Sequence, residues 1–370
     1  MPDYYIPNGT IIVDNGIIKE FGKAKDVQIP SEAEVIDVNG LYVGPGLVDI
    51  HTHADGVKWF HEDPVSVSEN ILSHGVTDVL PTLYFDMSKE QYIATIGDIK
   101  KAIADGKCRN VSGLYMEGPY LNPKFGCDKE KNKWKGPINK SDYEDIIKAA
   151  KDIARVWSVA PEREGIIEFV KDVKEKIPGI AFTVAHSEAT VDQIEELIPY
   201  GMKIGTHHTN ATGTIENYPE CRGVCVDEMV NYNDCMYAEI ISDYLGIHVD
   251  PYMQRLILKI KGKDKIILIS DACVFDGPPI PGCEDAFDIN FDFDGEIAGS
   301  KLTLDVACRN FKAHTGSSVC DIFKFASLNP ARAVGLYDRG CIKKGNVANL
   351  VITDGWFNIK NTILKGEIVK

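Results

Sequence analysis

The sequence predicts an α/β protein: a closed parallel (β/α)8 TIM barrel carrying a small β-sandwich assembled from both chain ends. Three observations predict it. Between residues 46 and 340, short apolar runs of strand length alternate with longer stretches of helical periodicity, eight times over. Histidines and acidic residues stand at the C-terminal ends of those runs, where a barrel of this kind gathers its active site. Residues 1–45 and 341–370 share a different texture, β-branched runs broken by Asn-Gly and Asp-Gly turns. The expected domains are therefore 1–45 joined with 341–370, and 46–340.

In chain order, Thr10–Val13, the Asn15-Gly16 turn and Ile17-Ile18 read as a hairpin, and Glu34–Val38 ahead of Asn39-Gly40 as a further strand. The first barrel strand is the run 47–50, entered through the Gly-Pro-Gly turn at 44–46. The others are 76–80, 111–116, 156–159, 181–185, 202–206, 236–241 and 265–270. Helix-period positions fill the stretches between them, such as 141–154 and 191–200, with Ser141 and Asp192 available as caps. Segments 349–353, 361–364 and 368–369 return to strand character and are expected to pair with the N-terminal strands.

A length of 370 residues accommodates such a barrel with its appendage. The net charge of −15 argues against nucleic acid or an anionic membrane as the main partner, since both need a basic surface. The N-terminus lacks the pattern of a secretion signal and no apolar run reaches transmembrane length, so the expected location is the cytoplasm. The ten cysteines are accordingly expected as free thiols, and the nearest pair, Cys221 and Cys225, lacks a second pair to complete a zinc knuckle.

The segment 46–53, GLVDIHTH, is the centre of the chemistry. Side chains two apart on a strand point the same way, so His51 and His53 project together from the end of the first strand. Two imidazoles supply half a tetrahedral shell for zinc or a similar ion, although so short a pattern also suits two hydrogen-bonded core histidines. The rest of the chain favours the ion. Among nine histidines, His186, His207 and His208 follow the fifth and sixth runs and His248 the seventh, while Glu117 ends the third and Asp271 the eighth. Each has a plain alternative: Glu117 as a barrel ion pair, Asp271 as a helix cap, His248 as a satisfied loop histidine. Adjacent strand residues face opposite sides, so one of His207 and His208 reaches an ion in the barrel. His61, His74 and His314 read as structural or surface residues.

The ordered segments GPGLVDIHTH, YMEGPYLNP, THHTNA, ISDYLGIHVDP, LISDA, IAGSKLTL and SLNPARAVGL resemble the N-acetylglucosamine-6-phosphate deacetylase family of the amidohydrolase superfamily. The likeness covers nearly the whole chain. It implies a TIM barrel of the metal-dependent amidohydrolase type holding one or two divalent ions per subunit, zinc first, with iron or manganese as alternatives. It implies Glu117, His186 and His207 as metal ligands, His51 and His53 as a pair for a second ion, and Asp271 as the catalytic aspartate. His248 then holds and polarises the substrate amide, Asn210 and Ala211 form a substrate-contacting turn, and Ile297 lies near the acetyl group. The implied reaction is removal of the acetyl group from an N-acetylated amino sugar, N-acetylglucosamine 6-phosphate above all, by a homodimer. The chemistry agrees, since a divalent ion acidifies water and polarises a carbonyl. Asp271 can take the water's proton and pass it to the departing amine, and His248 can donate to the developing oxyanion.

Two departures bear on the substrate. Where the family carries a Gly-Ala/Thr-His element this chain reads Gly126-Cys127-Asp128, and an acidic residue repels a phosphate. Where the family carries Arg-Glu-Pro-Gly the chain reads YPECRG, leaving Arg222 as the candidate phosphate ligand. Trp59 and Phe60 suit either stacking on a sugar face or packing at the rim. The alternatives are the same metal chemistry on N-acetylgalactosamine 6-phosphate, an unphosphorylated N-acyl sugar, an N-acyl amino acid or a cyclic amide. Of another class is a non-catalytic sugar-binding barrel.

Overall fold

The computed structural model describes residues 3–127, 129–213 and 216–370, and of residues 216, 217 and 222 the backbone alone. β1 (Gly9–Asp14) and β2 (Ile17–Lys23) pair antiparallel, with Val13 opposite Ile18. Asn15 and Gly16 make the turn at φ 49° and 73°, a backbone that these two residue types tolerate best. β3 (Tyr42–Pro45) then feeds the barrel. A Cβ at Gly44 would overlap the Phe323 ring and one at Gly46 the Thr77 side chain, which explains the Gly-Pro-Gly entry.

Among the described residues, eight parallel strands form the barrel. They begin with β4 (Leu47–Thr52), β5 (Val76–Tyr84), β6 (Leu114–Glu117), β7 (Ala154–Val159), β8 (Ala181–Val184) and β9 (Met202–Gly205). After a short hairpin, β10 (Glu216–Tyr218) and β11 (Cys221–Arg222), come β12 (Tyr237–Ile241) and β13 (Ile266–Ile269). Each strand neighbours the next one of the barrel in the chain. The ring closes where the last meets the first: Asp271 N–H donates to the His51 carbonyl at 2.9 Å and His53 N–H to the Ala272 carbonyl at 3.0 Å. Ser270 Oγ adds a 2.6 Å bond to Asp49, whose carboxyl burial pushes up to about 7. Leu47, Val79, Met116, Phe182, Ile204, Ile240 and Leu268 are fully buried in one continuous core.

Helices cover the barrel, and their starts differ from expectation by a residue or two. Helix Val191–Glu195 is capped by Thr190, whose hydroxyl and the Gln193 side chain satisfy each other's backbone N–H groups. Asp192 lies already inside the first turn, where it faces the positive end of the helix. The turn Ile198–Tyr200 is separate from that helix, because Pro199 carries no N–H to continue it. Helix Lys140–Ala150 starts after Asn139, ahead of Ser141, with no side-chain cap among the described residues.

β14 (Ile289–Phe291) and β15 (Ile297–Ser300) form a hairpin beside the end of β13, to which Ala272 and Ser300 bridge. β16 (Leu350–Thr353), β17 (Ile359–Leu364) and β18 (Glu367–Ile368) then pair antiparallel, and β3 adds to the free side of β16 with Pro45 opposite Leu350. The two chain ends thus share one sheet, and the separate β1–β2 hairpin is tied by a lone bridge, Ile17 to Val347, to the chain leading into β16. Ile18, Ile342, Leu350, Ile352 and Ile363 make the small core between them. Glu34–Val38 lies outside the strands of the described residues: Val35 and Ile36 are exposed, and β-branched residues favour a strand only where a partner and a buried face receive them. No helix of the described residues is long and apolar enough to cross a membrane.

Candidate metal centre

Five strands deliver residues at or just past their C-terminal ends to one point inside the barrel mouth. His51 on β4 and His53 just beyond it bring their rings to 5.4 Å, and Glu117 is the last residue of β6. His186, His207 and Asp271 each stand two residues past the ends of β8, β9 and β13. All three have positive φ, 44°, 29° and 48°, a left-handed backbone that costs a side-chain-bearing residue about 1–3 kcal/mol. The shared conformation accompanies three side chains gathered at one place.

The Glu117 carboxylate is shared between two pairs of imidazoles. Its Oε1 is 3.0 Å from His186 Nε2 and 3.2 Å from His207 Nε2, and those nitrogens are 3.1 Å apart. Its Oε2 is 3.0 Å from His53 Nε2 and 3.4 Å from His51 Nε2. Asp271 Oδ1 closes the second set, 3.4 Å from His53 Nε2 and 3.5 Å from His51 Nε2. Donors on a tetrahedral zinc ion stand roughly 3.3 Å apart, so both sets have the spacing an ion needs.

The electrostatics fit a cation. Burial works against charge on Glu117, yet His51, His186 and His207 hold its carboxyl well below the usual carboxylate range. Burial likewise opposes protonation of His53, but Asp271 and Glu117 push the ring up to about 9, and the same carboxylates raise His51. Buried His51 Nε2 has no hydrogen-bond partner among the described residues. Imidazole and carboxylate donors of this kind suit zinc, iron or manganese.

His207 faces Glu117, whereas His208 faces away, with Nε2 3.2 Å from Asn231 Oδ1 and its pKa lowered by burial to about 4. His74 lies 3.3 Å from Asp305 and His314 3.2 Å from the Tyr244 carbonyl, both apart from the centre. His61 lines the cleft above it. Asp271 starts no helix of the described residues, and the chain after it continues as irregular backbone. Above the centre opens a cleft of about 610 Å³, within the range of small-molecule sites. His248, Asn210, Ala211 and Ile297 border it, as do Trp59, Lys124, Lys129 and Lys131. Phe60 belongs to the core instead, fully buried. Asp128 and the side chain of Arg222 lie outside the described residues.

Two carboxylates behind the centre escaped the sequence reading. Glu239 Oε2 is 3.1 Å from His51 Nδ1 and accepts the His207 backbone N–H at 3.3 Å. It thereby turns His51 Nε2 toward Glu117. Asp243 Oδ2 accepts the His248 backbone N–H at 2.9 Å and lies 3.2 Å from its Nδ1, leaving buried Nε2 without a partner among the described residues. The signal for Glu239 was present, a lone carboxylate within the apolar strand MYAEII.

A barrel whose strand ends converge in this way on a cluster of imidazoles and carboxylates defines a metal-dependent hydrolase. Residues 42–369 match the amidohydrolase family, and the chain belongs to it. It is similar to N-acetylglucosamine-6-phosphate deacetylase of Lysinibacillus sphaericus, 25% identical over 90% of this chain and 87% of that one. It is also similar to N-acetylgalactosamine-6-phosphate deacetylase of Escherichia coli O157:H7, 26% identical over 92% and 90%. Among solved structures, N-acetylglucosamine-6-phosphate deacetylase from Pasteurella multocida superposes with a TM-score of 0.85 at 26% identity, covering 99% of this chain and 96% of that one.

Proposed function

We propose that the chain is a metal-dependent deacetylase that hydrolyses the N-acetyl amide of an amino sugar, in the first place N-acetylglucosamine 6-phosphate, giving glucosamine 6-phosphate and acetate. The observation that carries this reading is the Glu117 carboxylate, shared by His186 and His207 on one oxygen and by His51 and His53 on the other. Similarity to deacetylases of two amino-sugar 6-phosphates over nine-tenths of the chain supports it.

Glu117, His186 and His207 would hold one ion and His51 and His53 a second, with zinc ahead of iron and manganese for such donors. When bound, the ion supplies an acidified water and a Lewis acid for the amide carbonyl. Asp271 takes the proton of the attacking water and delivers it to the amine nitrogen as the C–N bond breaks. His248, its Nδ1 side held by Asp243, offers Nε2–H to the carbonyl oxygen as negative charge develops there. Asn210, Ala211 and Ile297 border the space for the acetylated sugar. Lys124, Lys129 and Lys131 border the cleft, where a phosphate would compete with Glu188 for Lys124 and with Glu296 for Lys129, and Arg222 is assigned to it on charge alone.

We further infer a cytoplasmic homodimer. Tyr252, Leu256 and Ile260, four residues apart on one helix, leave an exposed apolar stripe, and a charged sugar phosphate stays on one side of a bilayer. The deciding experiment measures acetate release from N-acetylglucosamine and N-acetylgalactosamine, each with and without a 6-phosphate, by protein loaded with zinc, iron or manganese. Metal-dependent release, fastest from N-acetylglucosamine 6-phosphate, is expected. No release from any of the four overturns the reading, and equal rates with and without phosphate overturn the phosphate assignment.

A further inference from the structure

Cys273 lies two residues beyond Asp271, buried in the wall of the same cleft. A His53 ring nitrogen, an Asp271 carboxylate oxygen and Cys273 Sγ all lie within 4.8 Å of one another. Donors of one tetrahedral zinc ion with mixed nitrogen, oxygen and sulfur ligands stand roughly 3.3–3.8 Å apart, a spacing within the 4.8 Å that bounds these three, and the thiol now rests 3.6 Å from the Asp271 carbonyl oxygen. The surroundings hold the thiol there. A Cβ at Gly299 would stand 2.7 Å from Sγ and 2.7 Å from the Asp271 carbonyl oxygen, so glycine on β15 makes the room. Asn290 Nδ2 donates to the Cys273 carbonyl at 3.0 Å and fixes the backbone. Independently of the cysteine, His51 Nε2 is buried, without a hydrogen bond among the described residues, and faces the gap between Glu117 Oε2 at 3.4 Å and Asp271 Oδ1 at 3.5 Å.

We propose that Cys273 is a sulfur donor for a divalent ion seated on His53 and Asp271, giving the cleft a soft ligand set beside the Glu117, His186 and His207 set. The inference rests on the reading of the cleft as a metal centre. Nitrogen and oxygen donors discriminate little among zinc, iron and manganese, whereas a thiolate selects zinc and cadmium. The S–H bond breaks as the sulfur–metal bond forms, and the proton leaves to solvent. With Oδ1 engaged on that ion, Asp271 is a weaker base for the attacking water. An excess of a thiophilic ion is therefore inhibitory.

The test titrates full-length, metal-depleted protein with cadmium alone. It follows the near-ultraviolet sulfur-to-cadmium charge-transfer band together with the cadmium retained after desalting, in the native chain and in Cys273→Ser and Cys273→Ala. The expected result is a band in the native protein that is lost in both variants while cadmium is still retained. A band of equal size in the variants, arising from other cysteines, overturns the thiol assignment; so does retained cadmium without any band, and in both cases the Glu117 centre stands. No retained cadmium in the native chain overturns both readings. If neither variant folds, X-ray absorption at the cadmium edge of the native protein decides, one sulfur in the shell supporting the assignment and none overturning it.

Discussion

At Asp271 a carboxylate in full burial is nevertheless held far below its usual range, because His51 and His53 stand against it while burial pulls the other way. That favours the carboxylate, the form in which the group can accept a proton. Asp271→Asn keeps the shape and removes that capacity, so kcat for acetate release should fall by about 10²–10⁴-fold. Metal analysis should still find the ion held by Glu117, His186 and His207, and its loss along with activity would reduce Asp271 to a ligand. Glu239 acts one step further back, through His51. Glu239→Gln leaves the His51 ring poorly oriented, and chelator competition should show metal affinity weakened by about 10–100-fold. The residues at the barrel mouth were legible in the sequence because acid-base and ligand types followed apolar runs at the right intervals. Glu239 stood out only as a lone carboxylate in an apolar strand, without a role, and Asp243 not at all, since a carboxylate that serves another side chain looks in sequence like any stray charge. Nor does residue type announce the left-handed backbone of His186, His207 and Asp271, which only the closed ring imposes.

Among the elements, the strands were easier to place than the helices that separate them. An apolar run buried in a barrel is specified by many residues at once, whereas a helix start turns on one backbone angle and one hydrogen bond. At Thr190 the extended backbone and the reciprocal Gln193 bond decide the start, and Asp192, an equally good cap by type, sits two residues too late. The run Glu34–Val38 failed for the converse reason: its local preference is for strand, but no buried face receives it and Val35 and Ile36 stay exposed. Helix Lys89–Ala104 allows a clean measurement of what a cap contributes. Ser88 accepts the Gln91 N–H at 3.3 Å while Gln91 accepts the Ser88 N–H at 2.8 Å, away from the metal centre. Ser88→Ala should lower stability by about 1 kcal/mol in chemical denaturation. Turnover should be unaltered, and a matching fall in kcat would show that this helix steers the cleft.

Across the whole molecule, folding concentrates on one point the charges that the chain otherwise keeps far apart, and the ion-free protein must neutralise them with protons. His53 is held protonated to about 9 and His51 is raised in the same direction, whereas an unfolded histidine titrates near 6.5. Between those values the ion-free native state binds protons that the unfolded chain has released. Its stability is therefore fully present below about pH 6.5 and is lost as pH rises toward 9, at most about 1.4 kcal/mol per pH unit for each proton. A divalent ion reverses the dependence, because it binds neutral imidazoles and takes over the work of those protons. Thermal unfolding of chelated and zinc-loaded protein, compared at several pH values across that window, should show the chelated midpoint declining and the difference between the two widening as pH rises. Ionisable groups away from the centre titrate alike in both samples and drop out of that difference. A gap that narrowed with rising pH would mean that His51 and His53 do not carry the charge balancing Glu117 and Asp271, and the centre as drawn would be wrong.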